Sequence, residues 1–406
     1  MPVSSVGGFS SIFAELMRFM KNSLIFPTLL SLLFTGIQAC GQSSKSSTQY
    51  HYTAPQYNFD SLYTGNAADV GIDSSAIRRV TRLILNDSIS NVHSMLIFKN
   101  DKLIYEQYFA GKDQKHGKKL GLIDHSADQL HDCRSISKSV VPACVGIALK
   151  QQLIKCIDDS IGRYFPEIKD SLMRTITVRQ LLTMTSGLKW REIGSYGSFF
   201  NSETQMDISF NPVKYILHRD ITAIPGTEWN YSAGNTQLLA EIIYRTSGMT
   251  IDKYADKFLF KPLGIDRYEW ANLTFRHIPA AASGLRLTSR DMLKFGMLYL
   301  DSGNWKGRQI LDSAWVKESF SSSVKRPDLS RFGIPAGGYG FQFWTSSYSL
   351  NNRMIDIAEA KGNGGQSIFV CRSLNLLLIT TGGNYNKADS NPYVILTKYI
   401  LPAVKD

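Results

Sequence analysis

With 406 residues, the chain has room for two or three small domains or one elaborate catalytic unit, which excludes a stapled mini-protein. Its 43% hydrophobic and 19% charged content supplies a full core and excludes a disordered chain. The formal charge of +11, from 45 Lys and Arg against 34 Asp and Glu, raises the question of nucleic acid. The densest basic cluster, KDQKHGKK at residues 112–119, reads instead as a solvated loop without any RNA-binding motif, so no nucleic-acid partner is expected.

The chain opens with an address. SLIFPTLLSLLFTGIQA (residues 23–39) is uncharged and mostly apolar, and Arg18 and Lys21 precede it, the plan of a secretory signal. The run ends in Ile37-Gln38-Ala39-Cys40, which resembles the lipobox of bacterial lipoproteins, where cleavage leaves a lipid on the cysteine. A short membrane anchor is the alternative, against which Pro27 and a run near the lower limit of about 17 residues both count. The expectation is a signal at residues 1–39, lipidation at Cys40, a tether over 40–60 that includes the Ser-rich GQSSKSSTQ, and a folded domain over 61–406 in the bacterial cell envelope. Losing Arg18, Lys21 and Glu15 barely changes the charge, so the basic balance belongs to the body.

In the body, residues 93–111 place two β-prone runs around Asn100-Asp101, a hairpin. Residues 135–153 carry Ile136, Val140, Cys144 and Ile147 at helical steps, with Pro142 expected to kink the helix or remove one bond. Further helices are expected over 178–184, 236–247 and 289–301, the last capped by Thr288 or Ser289. Strands follow at 366–370 and 374–380, and a helix at 391–401 closes the chain. One sheet built from both ends of the chain, with a helical middle over about 150–290, accounts for this order. No fixed-period repeat interrupts it.

The chemistry begins at Ser135-Ile136-Ser137-Lys138. Positions three apart share a helix face. A serine at a helix start sits where unpaired N–H groups favour negative charge, and a lysine one turn on takes its proton if burial and nearby cations lower the amine from about 10.4. Such a pair is an activated nucleophile with a local base. By itself S-x-x-K also fits a capped surface helix.

Three further segments follow in order: LLTMTSGLKW (181–190), PGTEWNYSAGN (225–235) and GNGGQ (362–366) before a strand. Together with the S-x-x-K they resemble the serine β-lactamase and penicillin-binding-protein superfamily, in its class C-like branch, over about residues 70–400, and look closest to nylon-oligomer (aminohexanoate-dimer) hydrolases and related esterases. The resemblance implies an α+β fold of the β-lactamase/transpeptidase type, an antiparallel sheet flanked by helices with a helical middle domain and the site in the cleft between them. It implies Ser135 as acylated nucleophile, Lys138 as its base and Tyr231 as proton shuttle, with a small amide or ester as substrate and no cofactor. Asn363 or Gly364 would give a backbone oxyanion donor to pair with the Ser135 N–H.

The family boxes are not intact. Tyr231-Ser232-Ala233 lacks the amide expected at its third position unless Asn235 substitutes, and Gly362-Asn363-Gly364 stands where penicillin-recognising relatives carry K-T-G. These departures argue against a true β-lactamase and keep two alternatives open, a D-Ala peptidase or weak β-lactamase acting on cell wall, and a non-catalytic wall-binding relative. Trp190 and Tyr196 fall where the resemblance puts a substrate-facing loop. No G-x-S-x-G elbow supports a His triad, and His125 and His131 read as loop or neighbouring residues. Asp158-Asp159 reads as a structural turn. The five Cys (40, 133, 144, 156 and 371) show no CxxC and no ligand spacing with His, so no metal site is expected.

Overall fold

The computed structural model describes residues 50–57, 62–322 and 324–405. The expected signal, Cys40 and the Ser-rich tether lie outside them.

Among the described residues, eight strands form one antiparallel sheet that draws on both ends of the chain. β2 (Lys102–Tyr108) forms one edge, β1 (Val92–Lys99) lies next to it, and the C-terminal strands continue the sheet on the far side of β1. Short strands Val324–Lys325 and Gly338–Tyr339 lead into β5 (Trp344–Leu350), β6 (Arg353–Gly362), β7 (Gln366–Cys371) and β8 (Leu376–Gly382), and β8 pairs with β1. The register sets Leu96 opposite Ile379 and Phe98 opposite Leu377, joining residues nearly three hundred positions apart. Every residue of β1, β7 and β8 is buried. These strands therefore read as unbroken apolar runs, because both faces of the sheet are covered.

Period-two alternation sorts the side chains into two cores. Leu96, Phe98, Ile368, Val370 and Leu377 face the helical body, while Met95, Ile97, Phe369 and Leu378 face an outer layer. That layer is α1 (Ser74–Leu85) and the C-terminal α6 (Asn391–Ile395), which continues through a wider turn at Leu396–Ile400. Full burial of each such side chain contributes about 1.5–3 kcal/mol.

The helical body is built around α2 (Ser137–Lys150), buried from Ser137 through Ala148 and packed against α4 (Ala233–Ser247). Pro142 sits inside α2 and does not end it. The expected helix over 178–184 is α3 (Val178–Leu182), closed at its start by a reciprocal Thr177–Gln180 capping box. The helix over 289–301 is α5 (Ser289–Leu300), capped by Thr288. Among the described residues no helix is long and apolar enough to cross a membrane.

Three expectations shift. The basic 112–119 segment is a hairpin rather than a loop, β3 (Ala110–Lys115) against β4 (Lys118–Asp124), with the turn at His116 and Gly117 where both backbones are left-handed. Turn and strand composition were masked there by charge, since β4 is largely exposed. The tether ends earlier than residue 60: Tyr52 donates its hydroxyl to the Ile104 carbonyl at 2.7 Å, and Tyr50 and Tyr52 pack on the outer core. The apolar surface of the two rings helps to offset the ordering of that segment. The strand placed at 374–380 begins at Leu376, after a tight turn at Arg372–Leu374.

Candidate active site

The turn that carries Ser135 is fixed from two sides. Arg134, directly before Ser135, holds a left-handed φ of 51°, a conformation that costs a non-glycine residue free energy and persists only when neighbours enforce it. Its guanidinium pairs with Asp132 at 3.1 Å and lies over the Tyr385 ring. Ser135 occupies a single tight turn, Arg134–Ile136, that runs into α2 and carries Lys138 one turn on. Gly362, at the end of β6, presses against this turn: a Cβ there would stand 2.2 Å from the Cys133 carbonyl oxygen. Only a hydrogen at that position lets this strand end reach the Ser135 turn.

Lys138 donates from Nζ to Ser135 Oγ at 3.1 Å, to Glu192 Oε1 at 3.0 Å and to the Ala282 carbonyl at 3.4 Å. Its ammonium also lies 4.8 Å from the Tyr231 ring centre, and Glu203 approaches to 4.0 Å. The expected pKa mechanism for Lys138 is therefore reversed. Burial by itself pulls the amine down, but the Glu192 carboxylate, with Tyr231 and Glu203 behind it, outweighs burial and holds Lys138 above its ordinary value. The cleft supplies carboxylates where the sequence reading asked for cations.

Glu192 is the residue that reading missed. It is wholly buried, Oε1 accepts from Lys138, and Oε2 accepts from Trp190 Nε1 at 2.8 Å and from the Ala233 backbone N–H at 2.7 Å. All three partners are obligate donors, so the geometry fits an ionised carboxylate. Burial pushes its pKa above the usual carboxylate range and the Lys138 ammonium pulls it back. Its only signal in the sequence was an acid two residues past Trp190, in a loop where acids are ordinarily solvated.

Tyr231 stands at the start of α4 with 4% of its surface exposed, in an aromatic wall with Trp229, Tyr339 and Trp344. Burial raises its phenol to about 12, against the Lys138 charge and the hydrogen bond with Ser135 that lower it. The remainder of the second box is structural. Ser232 caps α4 by accepting from the Asn235 N–H, and Ala233 supplies the N–H that holds Glu192.

Ser135, Tyr196, Tyr231, Trp344, Asn363 and Gly364 line one cavity of about 260 Å³, with Lys387 and Asp389 also on its wall. Asn363 exchanges two side-chain hydrogen bonds with Asn386, which leaves main chain as what this turn offers the cavity. Lys361, one residue before Gly362, also lines it, but its ammonium is turned to the Tyr393 ring at 4.5 Å and Glu359 at 3.9 Å. A larger cleft of about 1050 Å³, lined by Glu167, Lys214 and Tyr244, lies elsewhere and holds none of the Ser135 group.

Two expected pocket residues are not in the cavity. Asn235 is fully buried inside α4, where its Oδ1 accepts from Ser186 Oγ at 2.8 Å, so it does not replace the missing amide. Helical phase decides this, because two residues beyond the box the side chain has rotated about 200° away. Trp190 is buried against Gly234 and Tyr215 and reaches the site only through Glu192. Asp158 pairs with Arg179, and Asp159 accepts from Tyr164, a structural turn as expected. Cys133 is buried, and burial drives its thiol pKa up, leaving it a packing role.

A helix-covered antiparallel sheet with Ser135, Lys138 and Tyr231 close together in the cleft defines the class by fold, β-lactamase/transpeptidase-like. The Beta-lactamase family model matches residues 92–391, and the chain belongs to that family. It is 22% identical over 276 residues to the 6-aminohexanoate-dimer hydrolase of Paenarthrobacter ureafaciens, covering 64% of this chain and 65% of that protein, just under two thirds of its length. It is 24% identical over 383 residues to a Bacillus subtilis protein named as penicillin-binding protein PbpX, covering 86% of this chain and 89% of that one. The solved structure of EstCE1, a hydrolase with promiscuous acyltransferase activity, superposes with a TM-score of 0.61 at 15% identity, over 79% of this chain and 96% of that one, a likeness of fold.

Proposed function

We propose that this protein is an exported, lipid-anchored serine hydrolase that cleaves small amides or esters through an acyl-enzyme on Ser135. The observation that carries the proposal is the continuous contact from Ser135 Oγ to Lys138 Nζ at 3.1 Å and on to Glu192 Oε1 at 3.0 Å, at the floor of a cavity that also holds Tyr231.

In this reading Ser135 Oγ bonds to the substrate carbonyl carbon while its proton passes to Lys138, which hands one of its own to Glu192. The ammonium charge never leaves the buried site, so no uncompensated charge forms at Lys138. The tetrahedral oxyanion takes N–H bonds from Ser135 and the 363–364 turn. When the carbonyl re-forms, the leaving nitrogen or oxygen takes the Tyr231 proton, Tyr231 is reprotonated from Lys138, and Lys138 recovers its proton from Glu192. Water then enters where the leaving group was, and the same relay runs again to release the acid and restore Ser135.

The cavity volume of about 260 Å³ lies at the small end of ligand sites, which favours short acyl groups. The Lys361 ammonium is engaged by Tyr393 and Glu359, which disfavours the carboxylate recognition of K-T-G enzymes. The second reading, a D-Ala peptidase or weak β-lactamase, draws on Lys387 in the cavity wall, a cation that a substrate carboxylate would meet. The lipid anchor rests on the Ile37–Cys40 motif and the apolar run before it.

Intact mass after exposure to a fluorophosphonate tests the proposal, with Ser135→Ala as control. One adduct confined to the unmutated protein, together with turnover of short-chain esters, supports it. No adduct, or equal turnover by Ser135→Ala, overturns it, and a stable penicillin adduct at Ser135 selects the second reading.

A further inference from the structure

Four side chains that take no part in the Ser135 group converge behind the strand leading to it. His93 comes from β1, Asp113 from β3, His125 from just past β4, and His131 from the short strand His131–Asp132. One ligand atom from each lies within 4.8 Å of all the others. The side chains of His93, Asp113 and His131 are at most 4% exposed.

The neighbours of His93 and His131 fix where the protons of those two rings are. Asn91 is oriented by two backbone bonds: its Nδ2 donates to the Lys112 carbonyl at 3.0 Å and its Oδ1 accepts from the Lys112 N–H at 2.8 Å. The 3.3 Å contact between that Oδ1 and His93 Nε2 therefore requires a proton on Nε2, which leaves a lone pair on Nδ1 in the neutral ring. His131 Nδ1 lies 3.2 Å from the Asp132 carbonyl oxygen, so it too is the donor and Nε2 carries the lone pair. Those two lone pairs face each other at 2.8 Å. Asp113 Oδ1 stands 3.9 Å from the first and 3.7 Å from the second. His125 stacks on His93 with ring centres 4.0 Å apart, and its buried Nε2 has no hydrogen-bond partner among the described residues. Two nitrogen lone pairs and a carboxylate oxygen thus face one another, with a ligand atom of His125 within 4.8 Å of each, an arrangement that a bound cation satisfies.

We propose that His93, Asp113, His125 and His131 form a structural site for a divalent transition-metal ion of the zinc class. Three imidazoles and one carboxylate suit such an ion, whereas calcium takes six or more oxygens. Tetrahedral zinc at about 2.0–2.1 Å from each nitrogen separates them by about 3.3 Å, so entry asks only a small rotation of His93 and His131. The outer partners are in place, with Asn91 on His93, the Asp132 carbonyl on His131, and Tyr385 donating to Asp113 at 2.9 Å. The backbone makes room as well. A Cβ on Gly111 would fall 2.4 Å from His93 Cδ2, and the β1–β8 register breaks at His93, the kind of irregularity that re-aims a side chain.

Four protein ligands close the coordination sphere, so the ion braces structure and does not touch substrate. It ties the β3–β4 hairpin to the strand that runs into Ser135. Through Asp113 and Tyr385 it also reaches Gly364, against which the Tyr385 ring is packed, and Arg134, which lies over that ring.

The test is metal analysis of the full chain, purified without chelator or affinity histidines, then stripped and titrated with zinc or cobalt while thermal unfolding is followed. The expected result is about one zinc per chain, a Tm that rises with zinc, and the intense visible bands of four-coordinate cobalt. Asp113→Asn, which keeps the hydrogen bond with Tyr385, and His125→Ala, at the more open side, should each weaken metal affinity about 10–100-fold or more while remaining folded. Sub-stoichiometric metal with no Tm response in the unmutated chain overturns the proposal, as does undiminished binding in both variants. None of these readouts depends on hydrolysis, so the outcome stands apart from that of the Ser135 experiment.

Discussion

Lys138 Nζ and Glu192 Oε1 stand 3.0 Å apart with both side chains at most 1% exposed, and Lys138 touches the Ser135 hydroxyl at the same time. Lys138 is thus half of a buried ion pair whose other half is tied by Trp190 and Ala233.

Glu192→Gln keeps the size and an acceptor but removes the proton sink. We expect kcat to fall about 10²-fold or more, the range of general-base loss, with KM little changed. Breaking a buried pair costs about 3–5 kcal/mol, so Tm should drop too, and Lys138→Met combined with Glu192→Gln should recover part of it. Steady-state kinetics beside thermal unfolding separates the two effects. A variant with normal kcat would remove Glu192 from the relay.

The pH profile follows from the same pair. A free lysine base would make kcat/KM climb towards the lysine value of about 10.4. With Lys138 held charged and Glu192 raised by burial, we expect no such climb, and an acid limb above the ordinary carboxylate range. Trp190→Phe removes one donor to Glu192 and should move that limb to higher pH, a change that a merely structural role would not produce.

Tyr231 gives an alkaline test of stability. Its folded phenol, raised to about 12, lies above the unfolded value of about 10, so the folded chain keeps a proton that the unfolded chain releases between the two. The stabilisation is complete below pH 10 and is lost as pH rises through 12. Titration of tyrosinate absorbance should show this phenol silent until the chain unfolds, and Tyr231→Phe should reduce the alkaline loss.

Asn235 and Tyr196 separate scaffold from pocket. Asn235→Ala strands the Ser186 hydroxyl and should cost about 1–3 kcal/mol of stability with activity per folded molecule near normal. Tyr196→Ala enlarges the cavity wall and should raise KM for short esters about tenfold, the loss of about 1.4 kcal/mol of contact, without lowering Tm. Opposite results would exchange their roles.

Gly362→Ala drives a methyl into the Cys133 carbonyl. Backbone there cannot yield cheaply, so overpacking should cost about 1–3 kcal/mol, and acylation should fall by at least as large a factor because the displaced strand end carries the 363–364 turn. Rates of fluorophosphonate labelling measure this directly.

Local pattern and local chemistry carried far in this chain. Helical spacing at Val140, Cys144 and Ile147 located α2, the turn residues Asn100 and Asp101 located the first hairpin, and the order of S-x-x-K, Tyr231 and the 362–366 turn pointed to the family and to the group around Ser135, because helix phase and turn preference are properties of neighbouring residues. What only the tertiary structure decided are relationships between residues far apart in the chain. Glu192 beside Lys138 reverses the expected shift of the amine. The rotation of α4 takes Asn235 out of the cleft, and the burial of Trp190 leaves Tyr196 alone of the two in the cavity wall. Likewise His93, Asp113, His125 and His131 share no spacing that marks a ligand set, yet a sheet, a hairpin and a two-residue strand bring a ligand atom of each within 4.8 Å of the others. A pKa, a pocket wall and a coordination sphere are all set by what stands within a few ångströms, and for a buried charge that neighbour outweighs the residue's own chemistry.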